Sequence, residues 1–585
     1  MKKLLVHMRG YWRESILGPL FKLLEAVFEL FVPLVVAAVI DRGIRGGDRR
    51  YVLLMCLVLV ALGVVGLLSS VTAQYFAAKA AAGFAKKVKS ILFGHVQSLS
   101  FSEIDTLGTS TIITRLTNDM NQIQNGVNLF LRLVMRSPFV VFGAMVMAFT
   151  IDARAAVIFV VVIPILSVVV FSVMLTCIPL YKKIQGRLDK VLGLIKENLS
   201  GVRVIRAFRM EANETGEFDR RNEALTRMQK RAGRFSALMN PATFIVINIA
   251  IICLIRSGAL RVDAGALSQG QVVALYNLMS QILVELIKMA TLIITMTKAV
   301  ACGNRVQDVL ELRSSQIWPD VSPEEAIGDL AVEFRGVSLR YQNAGGNALS
   351  GIDFAAKKGQ TIGVIGGTGS GKSSLVHMIP RFYDAYGGEV LVNGVNVKDY
   401  PQKELRAKVG IVPQKAVLFG GTLRENMRWG DPNATDEEIY EALTTAQAKE
   451  VADAKGGLDF VIGQGGKNLS GGQRQRFTIA RALVKKPEIL ILDDSSSALD
   501  FATDAALRRA VKAMGGRTTV FVVSQRASSV QYADRIIVLD DGEIAGIGTA
   551  EELLQTCEVY KEIHESQFKK EGAASDAGQK KAEKN

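Results

Sequence analysis

Residues 366–373 have the composition and spacing of a phosphate-binding loop. They form a glycine-rich octapeptide that ends in Gly371, Lys372 and Ser373, and they follow the apolar run 361–365. The glycines allow backbone N–H groups to converge on phosphate oxygens, and a lysine in this place reaches the β- and γ-phosphates. A helix that opens at Lys372 would present its positive end to the same anion. We therefore predict a nucleotide-phosphate site here.

A second apolar run, 489–492, ends in the two carboxylates Asp493 and Asp494. A carboxylate at this point can support Mg²⁺, and the hydroxyl of Ser373 would be a direct magnesium ligand. ATP and Mg²⁺ are therefore the predicted cofactors. The predicted phosphate contacts are Gly366, Gly367, Thr368, Gly369, Ser370, Gly371, Lys372 and Ser373, with Ser374 placed for the α-phosphate.

Residues 330–566 have the pattern of an α/β domain that would hold these groups in place. Strand-like runs such as 332–334, 361–365 and 519–523 alternate with helical segments. This alternation predicts a largely parallel sheet.

The half of the chain before residue 305 is far more apolar. Six segments have the length that a bilayer-spanning helix needs, or nearly so. They are 16–40, 52–76, 131–151, 155–175, 235–255 and 272–295. The gaps between them are short and long in turn, and the long gaps, 77–130 and 179–234, have helical periodicity and many charges. The predicted fold class is multidomain: an all-α six-helix transmembrane domain followed by an α/β P-loop nucleotide-binding domain.

The charge of the chain fits a membrane better than a nucleic acid. The formal net charge is +14, but no basic stripe with interleaved aromatic residues is present. Several charged residues fall inside or beside the spans, including Glu25, Glu29, Glu285 and Lys288. Such charges either line a polar path or form structural ion pairs. Glu285 and Lys288 are three residues apart on one helix, so they could neutralise each other.

Residues 469–473, with the sequence Leu-Ser-Gly-Gly-Gln, carry a family resemblance. Together with the phosphate loop they resemble the ATP-binding cassette transporters, and the membrane half is similar to the six-helix exporter type. Three further positions match motifs of that family: Tyr341 the aromatic that stacks on adenine, Gln414 the Q-loop glutamine that contacts magnesium, and Asp500 the D-loop, 497–500. The resemblance covers nearly the whole chain, up to a tail at 567–585 that we expect to be disordered.

The resemblance also implies a mechanism. In the family, two cassettes close head to tail around two ATP molecules, and each site combines one subunit's phosphate loop with the other's signature. The signature residues that would act on the partner's nucleotide are Ser470, Gly471, Gly472 and Gln473. Closure of the cassettes would switch the membrane halves from inward-facing to outward-facing.

Three positions depart from the family pattern. Asp494 stands where most members have the glutamate that orients the attacking water, and Gln525 stands where the switch loop normally has histidine. A general base must come within about 2.6–3.2 Å of its proton, so the shorter carboxylate predicts slow hydrolysis. Both changes belong to the same nucleotide site, while the signature is intact. The third departure is Gln464, in place of a glutamate near the coupling loops.

These features predict one half of a heterodimeric bacterial exporter of hydrophobic or amphipathic compounds. This chain would supply the degenerate site, and a different half-transporter with an intact glutamate and histidine would be its partner. A homodimeric lipid or peptide exporter, an exporter-fold importer and a nucleotide-sensing regulatory protein are the alternatives, whereas six spans argue against a nucleic-acid ATPase. The expected domains are 1–315 in the membrane, 316–329 as linker and 330–566 as cassette. The expected location is the bacterial inner membrane, with the cassette in the cytoplasm.

Overall fold

The computed structural model describes residues 3–324, 328–342, 344–495, 498–514, 516 and 518–567. The chain divides into two compact units. A helical unit comprises Met1–Gln97 and Thr109–Leu312, and an α/β unit comprises Ser98–Gly108 and Arg313–Asn585. The predicted disordered tail lies outside the described residues from position 568 onward, as does Ser497 of the predicted D-loop.

Six helical stretches in the described part of the chain are long and apolar enough to cross a membrane, which confirms the predicted number. They are Leu4–Ile44, Arg49–Ser98, Thr109–Ile151, Ala153–Ser200, Glu211–Asp263 and Gln269–Glu311. Each has between 41 and 53 residues, about twice what a bilayer requires. The helices therefore continue well beyond the apolar segments, as the charged gaps in the sequence predicted.

In the described residues of the helical unit there are ten α-helices, and one further short helix, α3, belongs to the α/β unit. The bounds are α1 Trp12–Ala38, α2 Arg49–Ser98, α3 Phe101–Leu107, α4 Thr109–Thr114, α5 Met120–Leu133, α6 Arg136–Ile151, α7 Ala153–Ser200, α8 Val202–Ala207, α9 Glu211–Ala237, α10 Met239–Asp263 and α11 Gln269–Glu311. A 3₁₀-helix, Leu4–Tyr11, precedes α1, and π-turns lie at Val39–Ile44 and Arg115–Asp119. The start of α11 is fixed by a capping box between Ser268 and Gln271 and by the carboxylate of Asp41, which accepts the Gly270 N–H at 2.9 Å.

Large apolar side chains cover the outside of the helical unit. On α2, Leu53, Leu57 and Leu67 are each more than 60% exposed in the isolated chain. A contiguous apolar surface of this kind needs an apolar surrounding, and for helices of this length a bilayer supplies it. Cys56 and Cys253 also lie on exposed faces of these helices.

The α/β unit contains a six-stranded sheet in the order β12-β11-β3-β10-β9-β6, in which only the edge strand β12 is antiparallel. The prediction of a largely parallel sheet is confirmed. A four-stranded antiparallel sheet, β2-β1-β4-β5, was not predicted. The strand bounds are β1 Leu330–Leu339, β2 Leu349–Lys357, β3 Thr361–Gly366, β4 Gly387–Val392, β5 Val395–Asn396, β6 Val409–Val412, β7 Gly421–Thr422, β8 Val461–Ile462, β9 Ile489–Asp493, β10 Thr519–Val523, β11 Arg535–Asp540 and β12 Glu543–Gly548.

Apolar residues join the two sheets and cover the parallel one. Phe334 of β1 stacks on Phe354 of β2 with ring centroids 4.6 Å apart, and Phe354 meets Phe521 of β10 edge to face. The helices of the unit are α12 Lys372–Met378, α13 Gln402–Lys408, α14 Leu423–Met427, α15 Asp436–Thr445, α16 Lys449–Ala454, α17 Gly471–Val484, α18 Phe501–Ala513, α19 Ala527–Val530 and α20 Ala550–Thr556, followed by a helix over 558–567. Because β3, β9 and β10 are parallel neighbours, the residues at their carboxyl ends meet at one edge of the sheet.

Candidate nucleotide-binding site

The predicted phosphate loop connects β3 to α12 and closes around the ammonium of Lys372. Lys372 Nζ donates to the carbonyl oxygens of Gly366 at 3.0 Å and Gly367 at 2.5 Å. Gly371 has φ +92°, and a Cβ there would lie 2.8 Å from the Ala348 carbonyl oxygen, so only glycine fits. Burial lowers the pKa of Lys372. The loop therefore holds a desolvated cation whose partners are weak neutral acceptors that an anion would replace.

The carboxylate of Asp493 lies beside the first turn of α12. Asp493 is 2% exposed, and its Oδ1 accepts the hydroxyl proton of Ser373 at 2.9 Å. Its Oδ2 lies 3.6 Å from Nε2 of His377. Burial raises the pKa of Asp493 and lowers the pKa of His377. The hydroxyl and carboxylate form the all-oxygen environment that Mg²⁺ prefers.

Tyr341 closes the opposite end of the site. Its hydroxyl makes a 2.8 Å hydrogen bond with Ser374 Oγ, and its ring meets Tyr383 edge to face with centroids 5.0 Å apart. Tyr383 in turn donates to Asp105 Oδ2 at 2.6 Å. Burial raises the pKa of Tyr341, and burial followed by the bond to Asp105 raises that of Tyr383. Helix α3, which carries Asp105, thus reaches the predicted adenine-stacking residue through a single side chain.

These groups enclose one cavity of about 320 Å³. Its lining consists of Tyr341, Ala348, Thr368, Gly369, Gly371, Lys372, Ser373, Ser374, Gln414, Asp493, Asp494, Val523, Ser524 and Gln525. An aromatic ring stands at one end, a cationic glycine loop in the middle and a hydroxyl–carboxylate pair beside it. This order of groups fits ATP with Mg²⁺. Ser373 and Asp493 would hold the metal in position, and the metal would neutralise phosphate charge.

Comparison with known proteins agrees with this geometry. Residues 15–286 match the family described as the ABC transporter transmembrane region, and residues 349–497 match the family described as ABC transporter. An uncharacterized ABC transporter ATP-binding protein of Mycobacterium tuberculosis is 35% identical over 568 residues, which is 96% of this chain and 97% of that protein. The chain belongs to the ATP-binding cassette transporter family.

Other members extend the comparison. A protein of Syntrophus aciditrophicus named ATP-dependent lipid A-core flippase is 32% identical over 80% of this chain and 78% of its own length. The structure of a bacterial Atm1-family ABC exporter with ATP bound matches with a TM-score of 0.77 at 22% identity, covering 94% of this chain and 97% of the other. The predicted exporter-type fold is thereby confirmed. ATP binding and ATPase-coupled transport across a membrane follow from membership in this transporter family.

The transporter signature lies outside the ATP cavity of its own chain. Ser470 caps α17, and its hydroxyl and backbone form a reciprocal capping box with Gln473. Ser470 and Gly471 are exposed, and no described residue from 470–473 lines the cavity. Asp500 similarly caps α18, where hydrogen bonds from the backbone and hydroxyl of Thr503 lower its pKa. The N-terminus of α17, which is suited to bind an anion, therefore lies outside the cavity that this chain builds.

Asp494 sits at the cavity in a constrained backbone conformation. Its φ is +46°, which aspartate tolerates better than most residues, and its N–H donates to the Val523 carbonyl at 2.9 Å. The carboxylate accepts a 3.3 Å hydrogen bond from Gln414 Nε2. Because β9 ends at Asp493 and the Asp494 N–H is bonded to the Val523 carbonyl, the backbone at Asp494 is held in place and the position of the carboxylate depends on side-chain length.

Gln525 follows β10 and lines the same cavity with an exposed side chain. Ser524 before it is buried, and its N–H donates to the Val364 carbonyl at 3.0 Å, which ties the loop to β3. The structure thus brings together Asp494, Gln525 and Gln414, which are 31 to 111 positions apart in the sequence. Gln464, the third departure from the family pattern, is exposed and does not line the cavity.

The charges within the spans form ion pairs rather than an acid–base chain. Arg136, which is 5% exposed, lies 2.5 Å from both Glu29 and Glu285, and Lys288 reaches Glu285 at 2.8 Å. Lys22 pairs with Glu25 at 2.5 Å. Between the two readings of these charges, the pairing favours structural ion pairs, although Glu29 stays 40% exposed.

Sequence reasoning missed Ala348, which lines the cavity, and four residues whose side chains support the site or its loops: His377, Tyr383, Asp105 and Gln567. A signal existed only for His377, because it lies five positions after Lys372 on the helix that the phosphate loop opens. The others approach from distant parts of the chain, and no local pattern marks them.

Proposed function

We propose that this chain is one half of a heterodimeric, ATP-driven exporter of hydrophobic or amphipathic, lipid-like compounds. It would act in the bacterial plasma membrane with its cassette in the cytoplasm. The chain would bind ATP and Mg²⁺ but hydrolyse ATP slowly in its own site, and its signature would complete a faster site on a different half-transporter.

The observation that carries this proposal is that both altered residues line one cavity while the signature lines none of it. Asp494 and Gln525 face the nucleotide position that Lys372 and Ser373 define. A general base contributes about 10²–10⁴-fold to a rate, so a misplaced carboxylate would lose much of that factor. The exposed Ser470 end of α17 remains complete, and only a second subunit could use it.

The substrate class rests on the surface of the helical unit and on the named relatives. Many large apolar side chains lie on the outside of the spans, and Arg136 inside them forms ion pairs with Glu29 and Glu285. Two relatives are named lipid A-core flippases, and an amphipathic lipid fits such walls. The test is ATP-dependent movement of fluorescent lipids and hydrophobic amines in inside-out vesicles that contain both half-transporters. Accumulation inside the vesicles supports export, release supports import, and no movement supports a regulatory role.

The heterodimer is tested with two separate single substitutions in this chain, each assayed for ATPase activity in the assembled transporter. Ser470→Arg should abolish most ATPase activity, because it blocks the partner's site. Asp494→Asn should change total activity by less than about twofold, because a site without a well-placed base contributes little. If the chain works as a homodimer, both substitutions will inactivate it equally, and the unmodified chain alone will hydrolyse ATP rapidly.

A further inference from the structure

The last described residue of the chain, Gln567, is bonded to the switch loop. Its Nε2 donates to the Gln525 carbonyl oxygen at 2.8 Å, and its Oε1 accepts the Ala527 N–H at 2.9 Å. One side-chain amide therefore satisfies a backbone acceptor and a backbone donor on the two sides of Arg526.

The helix over 558–567, which carries the Gln567 side chain, is packed against the rest of the α/β unit. Tyr560 of that helix is fully buried, and it packs in one apolar cluster with Ala527 and Val530 of α19 and with Ile365 of β3. Ile563 packs against the same cluster. The helix is therefore anchored to β3, which precedes the phosphate loop, and to α19, which follows the switch loop.

The bonds fall on the part of the loop that most needs orienting. The start of the loop is tied to β3 through the Ser524 N–H, while the side chain of Gln525 is exposed at the cavity. The direction of that side chain depends on the peptide planes of Gln525 and Arg526. Gln567 bonds to the carbonyl of Gln525 and to the N–H of Ala527, so it contacts both of these peptide planes.

We propose that Gln567 is a positioning residue for nucleotide recognition. By holding the backbone of 525–527, it points the Gln525 amide at the γ-phosphate position and gives the cavity its preference for triphosphate over diphosphate. The inference requires that this chain's own cavity binds ATP, but it does not require a heterodimer or slow hydrolysis.

The direct test is the ratio of the affinities for fluorescent mant-ATP and mant-ADP, measured with Mg²⁺ on the full-length chain in lipid nanodiscs. Gln567→Ala should lower the ATP/ADP preference about three- to tenfold, which corresponds to the net effect of about one hydrogen bond. Gln567→Glu keeps the acceptor for the Ala527 N–H but loses the donor, so its effect should be intermediate. An unchanged ratio in Gln567→Ala would overturn the proposal.

Matched controls separate positioning from folding. Ser566→Ala changes the neighbouring exposed residue, whose hydroxyl bonds only within its own helix to Ile563, and should leave the ratio unchanged. Removal of 568–585 keeps Gln567 and should also have no effect, whereas removal of 567–585 should match Gln567→Ala. A purely structural role would weaken ATP and ADP binding equally, along with thermal stability, and would contradict the proposal.

A double-mutant cycle with Gln525→Ala tests the route of the effect. If Gln567 acts through the Gln525 side chain, its substitution should no longer alter the ATP/ADP ratio once that side chain is gone. Additive effects of the two substitutions would show that Gln567 acts by another path, against the proposal. Both measurements concern binding by this chain alone, so they stand even if the transporter proves to be a homodimer.

Discussion

The phosphate floor of the cavity (Lys372, Ser373 and Asp493) and its switch wall (Asp494 and Gln525) both lie at the carboxyl ends of the neighbouring strands β3, β10 and β9, but they differ in chemistry. Each residue of the floor has a hydrogen bond of 3.0 Å or less inside the site, from the lysine to two carbonyls and from the serine to the aspartate. On the wall, the carboxylate has a 3.3 Å bond from Gln414, and the glutamine side chain is exposed.

This difference supports our proposal that ATP binding and ATP hydrolysis depend on separate groups in this chain. The floor needs charge and backbone geometry, which the glycine loop supplies. The wall needs a base held about 2.6–3.2 Å from the attacking water, since in-line phosphoryl transfer depends on positioning. On this proposal, the side chains of Asp494 and Gln525 slow ATP hydrolysis and leave ATP binding intact.

The largest expected effect comes from rebuilding the wall. Asp494→Glu with Gln525→His should raise hydrolysis in this chain's own site by about 10²-fold or more, because a general base contributes about 10²–10⁴-fold. Single-turnover hydrolysis would be measured with the partner's site inactivated, and ATP affinity should remain unchanged.

Asp494→Glu alone should recover part of the gain, and Asp494→Asn should gain nothing. Equal rates in the wild type and the double variant would mean that the wall does not limit hydrolysis, and the comparison of floor and wall would fail.

The fold and the floor were largely predictable from the sequence because their signals are local. The six spans, the parallel sheet and the strand–loop–helix around Lys372 each depend on residues close together in the chain. The pair Glu285–Lys288 was predictable for the same reason, but Arg136, the more buried partner of Glu285, lies on another helix. The bonds of Tyr383 to Asp105 and of Gln567 to the switch loop are tertiary contacts, and only the folded chain brings them together.

Removing the cation of the floor should have the next largest effect. Lys372→Ala deletes charge-assisted bonds to phosphate, so ATP affinity should fall about ten- to hundredfold, given that hydrogen bonds to charged groups contribute about 1.5–3 kcal/mol. Equilibrium binding of mant-ATP would measure it. Lys358→Ala removes an exposed lysine outside the cavity and should bind normally; a similar loss in both variants would indicate a general charge effect instead.

Asp493→Asn should separate the stability of the floor from its function. Burial raises the pKa of Asp493 above its value in the unfolded chain. The free energy of unfolding is therefore highest at low pH, where the carboxyl is protonated in both states, and it falls as pH rises through the raised pKa. Asparagine resembles the protonated form at every pH. The variant should therefore unfold at a higher temperature than wild type near pH 8, and the difference should shrink toward pH 4.

The expected shift is a few degrees, since 1 kcal/mol moves Tm by about 2–4 °C in a domain of this size. Mg²⁺–ATP should stabilise the wild type but not the variant in the same melting experiment. If the wild type is more stable than Asp493→Asn at pH 8 without nucleotide, burial of the Asp493 charge does not destabilise the fold and the prediction is wrong.

The smallest expected effect concerns the adenine end, which lies beyond both the floor and the wall. Tyr383→Phe keeps the ring against Tyr341 but removes the hydroxyl that donates to Asp105. The bond is solvent-accessible at its Asp105 end, so its loss should change ATP affinity less than about threefold. Helix α3 should nevertheless lose one tertiary hydrogen bond, and hydrogen exchange in Phe101–Leu107 should accelerate.

Tyr386→Phe alters an exposed tyrosine nearby and should leave that exchange unchanged. If ATP slows exchange in α3 equally in wild type and Tyr383→Phe, nucleotide occupancy reaches α3 by another contact, such as the stacking of Phe101 on Phe382 at 4.4 Å.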